Sequence, residues 1–193
     1  MKRILKALII TLLFYLLQTC LMSHLKIAGI VACLPASAIA ILTVSYGKKY
    51  AFGSSCLFGI LFEATTASVG GLFAVIYPVF AMLFAQIFAD MSDEKRERLI
   101  LRQSAGKKYK DEMNPVLRII LDSVCITAAL ETIYTAYITL AGTDLTLRLI
   151  LRIIGASVYT GALTILMVFP VRRFLGVRRA RIKRAMVEER SEP

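Results

Sequence analysis

Apolar residues along this chain fall into six long runs, broken by short polar or charged stretches, over residues 4–22, 27–46, 51–68, 70–91, 115–141 and 149–170. A helix that crosses a bilayer needs roughly 20 mostly apolar residues, so each run predicts a spanning α-helix. The runs are continuous and lack the alternation of β-barrel strands. Little more than Val69, Gly70 and Gly71 separates the third run from the fourth, which predicts a tight hairpin. Pro35 is expected to kink the second helix, and the fifth run is long enough to project or tilt.

Composition strengthens this picture. The 193 residues are 58% hydrophobic, with a mean hydropathy of +0.69 and no Trp, whereas ordinary globular domains are about 45–50% apolar. Against this stand 24 Lys and Arg and 13 Asp and Glu. Six spans place the N-terminus, the 47–50 turn, the 92–114 loop and the tail on one side. Every basic residue except Lys26, Arg148 and Arg152 then lies on that side, the asymmetry expected of a cytoplasmic face. Five spans would strand the tail's basic cluster outside. The expected fold class is therefore an all-α polytopic membrane protein with six transmembrane helices and both termini cytoplasmic. Residues 1–170 form the transmembrane domain, with a charged loop at 92–114, and residues 171–193 a basic tail. Anionic lipids are the natural partner of a basic inner rim, and no nucleic acid is expected.

The opening "MKRILKALIITLLFYLLQTC" has the basic head and apolar centre of a secretion signal. Gln18 and Thr19 stand where a lipoprotein cleavage site before Cys20 needs small residues, so an uncleaved first span is expected. Cys20, Cys33, Cys56 and Cys125 show no C-x-x-C spacing and no companion histidines, and read as small apolar packing. His24, the only histidine, falls in the first outer turn. No metal motif, cofactor loop or nucleophile motif is present in the sequence, so catalytic, cofactor-binding and metal residues are assigned to none, and the chain is not expected to be an enzyme.

Small residues recur every four positions on two of the runs. The second carries Ala28, Ala32, Ala36 and Ala40, and the third carries Ser55, Gly59, Glu63 and Ala67. Such stripes let another backbone approach closely and mark helix–helix or partner contacts. Glu63 lies on its stripe and is expected to face protein. An ionised carboxylate there needs a partner. Arg152 enters from the outer surface about as far, roughly 8 Å at 1.5 Å per residue, which suggests an intramembrane pair between Glu63 and Arg152. Arg148 and Arg152 reaching outer headgroups is the competing reading. On the fifth run, Asp122 follows Arg118 by four residues, a helical pairing distance. Glu131 sits among Ala128, Ala129, Thr132 and Thr135 and is expected on a helix-packing face.

On the cytoplasmic side, Ser92 is expected to cap a short helix over 93–104. The tail reads as a basic amphipathic helix with Leu175, Ile182 and Met186 on one side. Arg172, Arg173, Arg178, Arg179, Arg181, Lys183 and Arg184 form its inner-leaflet anchor. Docking onto a cytoplasmic partner is the alternative role.

Several stretches, in order, resemble the MreD family of rod-shape membrane proteins. The first span ends in "LLQTC", and Pro35 follows in the second. The third carries "GILFEATTASVGG", the fifth opens "NPVLRIILDSVCITAALETIY", and the sixth exits through "VFPVRRF". Glu63 stands where the family usually has Asp, and the 92–113 loop is longer and more charged than usual. The resemblance implies a non-enzymatic scaffold of the bacterial cytoplasmic membrane. It would bind MreC and help couple MreB filaments to the peptidoglycan synthase of RodA and a class B penicillin-binding protein. MreD-like proteins are similar in fold to the substrate-binding S-component of energy-coupling-factor vitamin transporters, which supplies the alternative function.

Overall fold

In a computed structural model, the chain is described over residues 2–22, 24–26, 29–66, 71–88, 114–142, 144 and 146–176. These residues form six α-helices: α1 (Lys2–Leu16), α2 (Leu34–Tyr46), α3 (Lys48–Thr66), α4 (Leu72–Phe88), α5 (Pro115–Leu140) and α6 (Leu147–Leu175). A π-helical turn, Leu17–Leu21, extends α1. The stretches Arg3–Leu21 and Leu147–Leu175 are long and apolar enough to cross a membrane, and α2 and α4 are shorter apolar helices.

Helix α2 is the hub. It packs against each of the other five helices, and every residue from Leu34 to Val44 is buried. Its sequence, "LPASAIAILTVSY", explains why: small and aliphatic side chains surround the axis, and a helix apolar on all sides is a buried one. The second helix is shorter than expected. It begins at Leu34 and not near residue 27, and Pro35 lies in its first turn and does not kink it. Proline lacks an N–H and carries a preset φ, so it favours a helix start over an interior. At 13 residues α2 is about 20 Å long, preceded by irregular chain with Gly29 at φ +79°. The expected four-alanine ridge is corrected accordingly. Ala36 and Ala40 lie on the helix, Ala32 precedes it, all three have 0% exposure, and Ala28 is outside the described residues.

The remaining helices sort into pairs. Helix α3 packs most extensively on α4, and α5 on α6. Gly47, at φ +93°, ends α2 and starts α3 in one residue. Its N–H reaches the carbonyls of Leu42 (3.2 Å) and Thr43 (3.0 Å), while its own carbonyl receives the N–H groups of Tyr50 and Ala51. At the end of α6, Lys6 Nζ donates to the Phe174 carbonyl at 3.0 Å and Tyr46 Oη to that of Leu175 at 3.2 Å. Both satisfy carbonyls that a helix C-terminus leaves open, and the lysine's charge suits the negative end of the dipole. Helix α6 runs through Pro170 to Leu175, where Val171 and Leu175 are buried, so the expected boundary at 170/171 falls inside a helix.

The outside of the bundle is apolar. Helix α1 turns Ala7, Ile10, Thr11 and Phe14 inward and leaves Ile4, Leu5, Leu8, Ile9, Leu12 and Leu13 exposed. On α6, Val158, Leu166 and Phe169 are each more than 60% exposed.

Candidate functional site

Three carboxylates sit within the bundle, and each meets a different environment. Glu63, on the last turn of α3, is half-buried and reaches the start of α4. Its Oε1 accepts from the Gly71 N–H at 2.6 Å and its Oε2 from the Phe73 N–H at 3.1 Å. These are two of the donors that a helix N-terminus leaves without partners, and a negative charge suits the positive end of α4. Close approach of the two helices makes the reach possible. A Cβ on Gly59 would stand 2.7 Å from the Phe73 carbonyl oxygen and 2.8 Å from the Ala74 Cα. The small-residue stripe therefore faces α4, the helix that follows it, with Ser55 fully buried and Ala67 outside the described residues.

The expected pair between Glu63 and Arg152 is corrected by this geometry. Arg152 Nη2 instead lies 3.4 Å from Glu131 Oε2, and its guanidinium stands over the Tyr134 ring, 5.2 Å from the centroid. The Glu131 contact is one of charge and not an aligned hydrogen bond, since Oε2 has no donor in hydrogen-bonding geometry. Helices α5 and α6 are packed neighbours, so Arg152 meets a carboxylate across their interface, while both Glu63 oxygens are taken by backbone.

Near the start of α2 a set of polar side chains converges. Gln18 Oε1, on the π-helical turn, accepts from the Leu34 N–H at 2.8 Å, and Thr160 Oγ1 accepts from the Cys33 N–H at 2.9 Å. Cys33 Sγ lies 3.9 Å from Tyr77 Oη, and Tyr159 Oη donates to the Leu25 carbonyl at 3.2 Å. Deeper in, Ser37 and Thr164 hydroxyls meet at 2.7 Å, and Thr164 donates to Ser123 Oγ at 3.1 Å. This hydroxyl cluster joins α2, α5 and α6 with every member at 0% exposure. Its signal in the sequence is Thr160 and Thr164, one turn apart, where small polar residues mark helix contacts.

Asp122 lies on the buried stripe of α5 with Ile119 and Ile126, at 0% exposure. Neither of its oxygens accepts a hydrogen bond. The pairing with Arg118 suggested by their spacing is not formed. Of the expected inner anchor, Arg172 is half-buried and Arg173 exposed on the last turn of α6. Arg178, Arg179, Arg181, Lys183 and Arg184 lie outside the described residues, as do the 92–113 loop and the helix expected over 93–104. Among the described residues no group of three or more His, Cys, Asp or Glu is placed to hold a metal ion.

Fold and side chains of the described residues together define a helical bundle with a central helix buried from Leu34 to Val44 and an apolar exterior. Compared with protein-family models, with curated proteins and with solved structures, the chain matches none.

Proposed function

We propose that this chain is an MreD-like scaffold of the bacterial cytoplasmic membrane, a six-span bundle that binds MreC. In this reading it helps couple MreB on the cytoplasmic side to RodA and a class B penicillin-binding protein. One observation carries the reading. In three of the stretches that resemble the family, the polar residue accepts from a backbone N–H at the start of a helix. Gln18 of "LLQTC" accepts from Leu34, Glu63 of "GILFEATTASVGG" from Gly71 and Phe73, and Asn114 of "NPVLRII" from Val116 at 3.1 Å. The motif residues are spent on holding helices in place, which suits a protein whose product is its shape. The apolar exterior of α1, α4 and α6 supports residence in lipid, since exposed apolar surface of this extent needs an apolar solvent or partner. Lys and Arg gathered at the inner ends support both termini in the cytoplasm, with α2 crossing together with the irregular chain before it.

The S-component alternative draws on the polar side chains gathered where α2 begins, among them Gln18, Cys33, Tyr77 and Glu131. Affinity purification of the tagged chain from gently solubilised native membranes, followed by mass spectrometry, separates the two readings. Recovery of MreC with RodA or its penicillin-binding partner is the expected result. Recovery of paired ATPases with a coupling membrane subunit would overturn the scaffold in favour of a vitamin-binding role.

A further inference from the structure

We propose that Asp122 is a monovalent-cation site, at which the bundle draws one positive charge from solution, as a proton or an alkali cation. Asp122 has 0% exposure, and neither carboxylate oxygen accepts a hydrogen bond. A bare carboxylate in an apolar interior is strongly unfavourable, so it is neutralised by something. Among the described residues no side chain does so. Helices α2, α4 and α6 pack against α5. Neither α2 nor α4 contains a Lys, Arg, His, Asp or Glu, and their titratable groups are Tyr46 and Tyr77, with Cys33 just ahead of α2. Helix α6 carries Tyr159 and four arginines. Arg152 is held by Glu131 and Tyr134, Arg148 lies a further turn toward the helix start, and Arg172 and Arg173 lie in the last turn. On α5 itself stand Arg118, Cys125, Glu131, Tyr134 and Tyr137, and none of them donates to Asp122.

Hydroxyls on α5 and on α2 are also committed as donors. Ser123 donates to the Ile120 carbonyl, Thr127 to that of Ser123, and Thr43 to that of Ile39. Two oxygens to which no described side chain donates are left to a cation from solution. The site does not depend on which membrane role the protein has.

The test uses the full-length protein in lipid nanodiscs, with carbon-13 on its aspartates. Substituting Asn for Asp90, Asp93, Asp111 and Asp144 leaves Asp122 the only aspartate, so its infrared bands are assigned without touching it. A protonated-carboxyl C=O band at neutral pH, indifferent to Na⁺ and lost in Asp122→Asn, is the proton outcome. A carboxylate band that shifts when Na⁺ replaces choline, with a Na⁺-dependent rise in thermal midpoint absent from Asp122→Asn, is the alkali outcome. Either supports the site. A carboxylate band that moves with neither pH nor Na⁺, Li⁺ or K⁺ overturns it. Should Asp122→Asn fail to fold, the pH and Na⁺ difference spectra of the single-aspartate chain decide alone.

Discussion

Replacing Glu63 by alanine removes both acceptors from the start of α4 at once. A hydrogen bond to a charged group contributes about 1.5–3 kcal/mol, while loss of a helix cap costs about 1 and up to about 2 kcal/mol. Glu63 is half-buried, so water replaces part of what is lost, and the cap result is the better guide. We take about 2 kcal/mol for the two bonds together. In a chain of this size each kcal/mol moves the midpoint by roughly 2–4 °C, so Glu63→Ala is expected to melt about 4–8 °C below wild type. Glu63→Gln keeps one acceptor but turns an NH₂ toward the second N–H, and falls in between. The assay is thermal unfolding followed by far-UV circular dichroism in one detergent at one pH. Because Glu63 bonds backbone and Arg152 meets the charge of Glu131, Glu63→Ala and Arg152→Ala should add to within about 0.5 kcal/mol. A midpoint for Glu63→Ala within about 1 °C of wild type, or a Glu63–Arg152 coupling above about 1 kcal/mol, would refute the capping argument.

Three further outcomes follow from the same geometry. A double-mutant cycle on Glu131 and Arg152 should give a coupling of about 0.5–1 kcal/mol, since the arginine is partly exposed at 39% and screening discounts the pair; additive melting shifts would remove it. Gly59→Ala pushes a methyl group into the Phe73 carbonyl and is expected to cost about 1–3 kcal/mol by overpacking, measured as a lower midpoint, whereas Gly53→Ala, inside α3 with open space around it, should be neutral or stabilising by up to about 1 kcal/mol. Gln18→Leu leaves the buried Leu34 N–H without its acceptor, at about 1–3 kcal/mol. Hydrogen exchange at Leu34 should accelerate in that variant while exchange at Ile41 changes far less.

Much of the architecture is written in local signals. Pro115 after Asn114 marks the start of α5, Gly176 after Leu175 the end of α6, and Gly59 the closest approach within the α3–α4 hairpin. Glu63 was legible as a residue facing protein but not as a cap. Its partners are backbone groups eight and ten residues ahead, and a helix projection shows faces without showing where the next helix begins. The choice between Glu63 and Glu131 for Arg152 was likewise out of reach. Both acids lie within apolar runs of the sequence, and only the packing of α5 on α6 decides. The length of α2 was misread for a different reason. A hydropathy window registers Val31 and Leu34 alike, whereas Pro35 carried the conformational information and pointed to a helix start.

The enclosure of α2 by all five other helices also has a consequence for synthesis. Chain emerging from the ribosome delivers α2 near residue 34, yet α5 and α6, which bury its Ser37, arrive some eighty to one hundred and thirty residues later. Until then only α1, α3 and α4 are at hand, and the Ser37 hydroxyl destined for Thr164 has no partner there. The hub is thus the second element made and the last to be fully housed. Chains truncated after α4 are accordingly the ones a quality-control protease should clear, and substitutions at Ser123 or Thr164 should act on yield before they act on the finished protein.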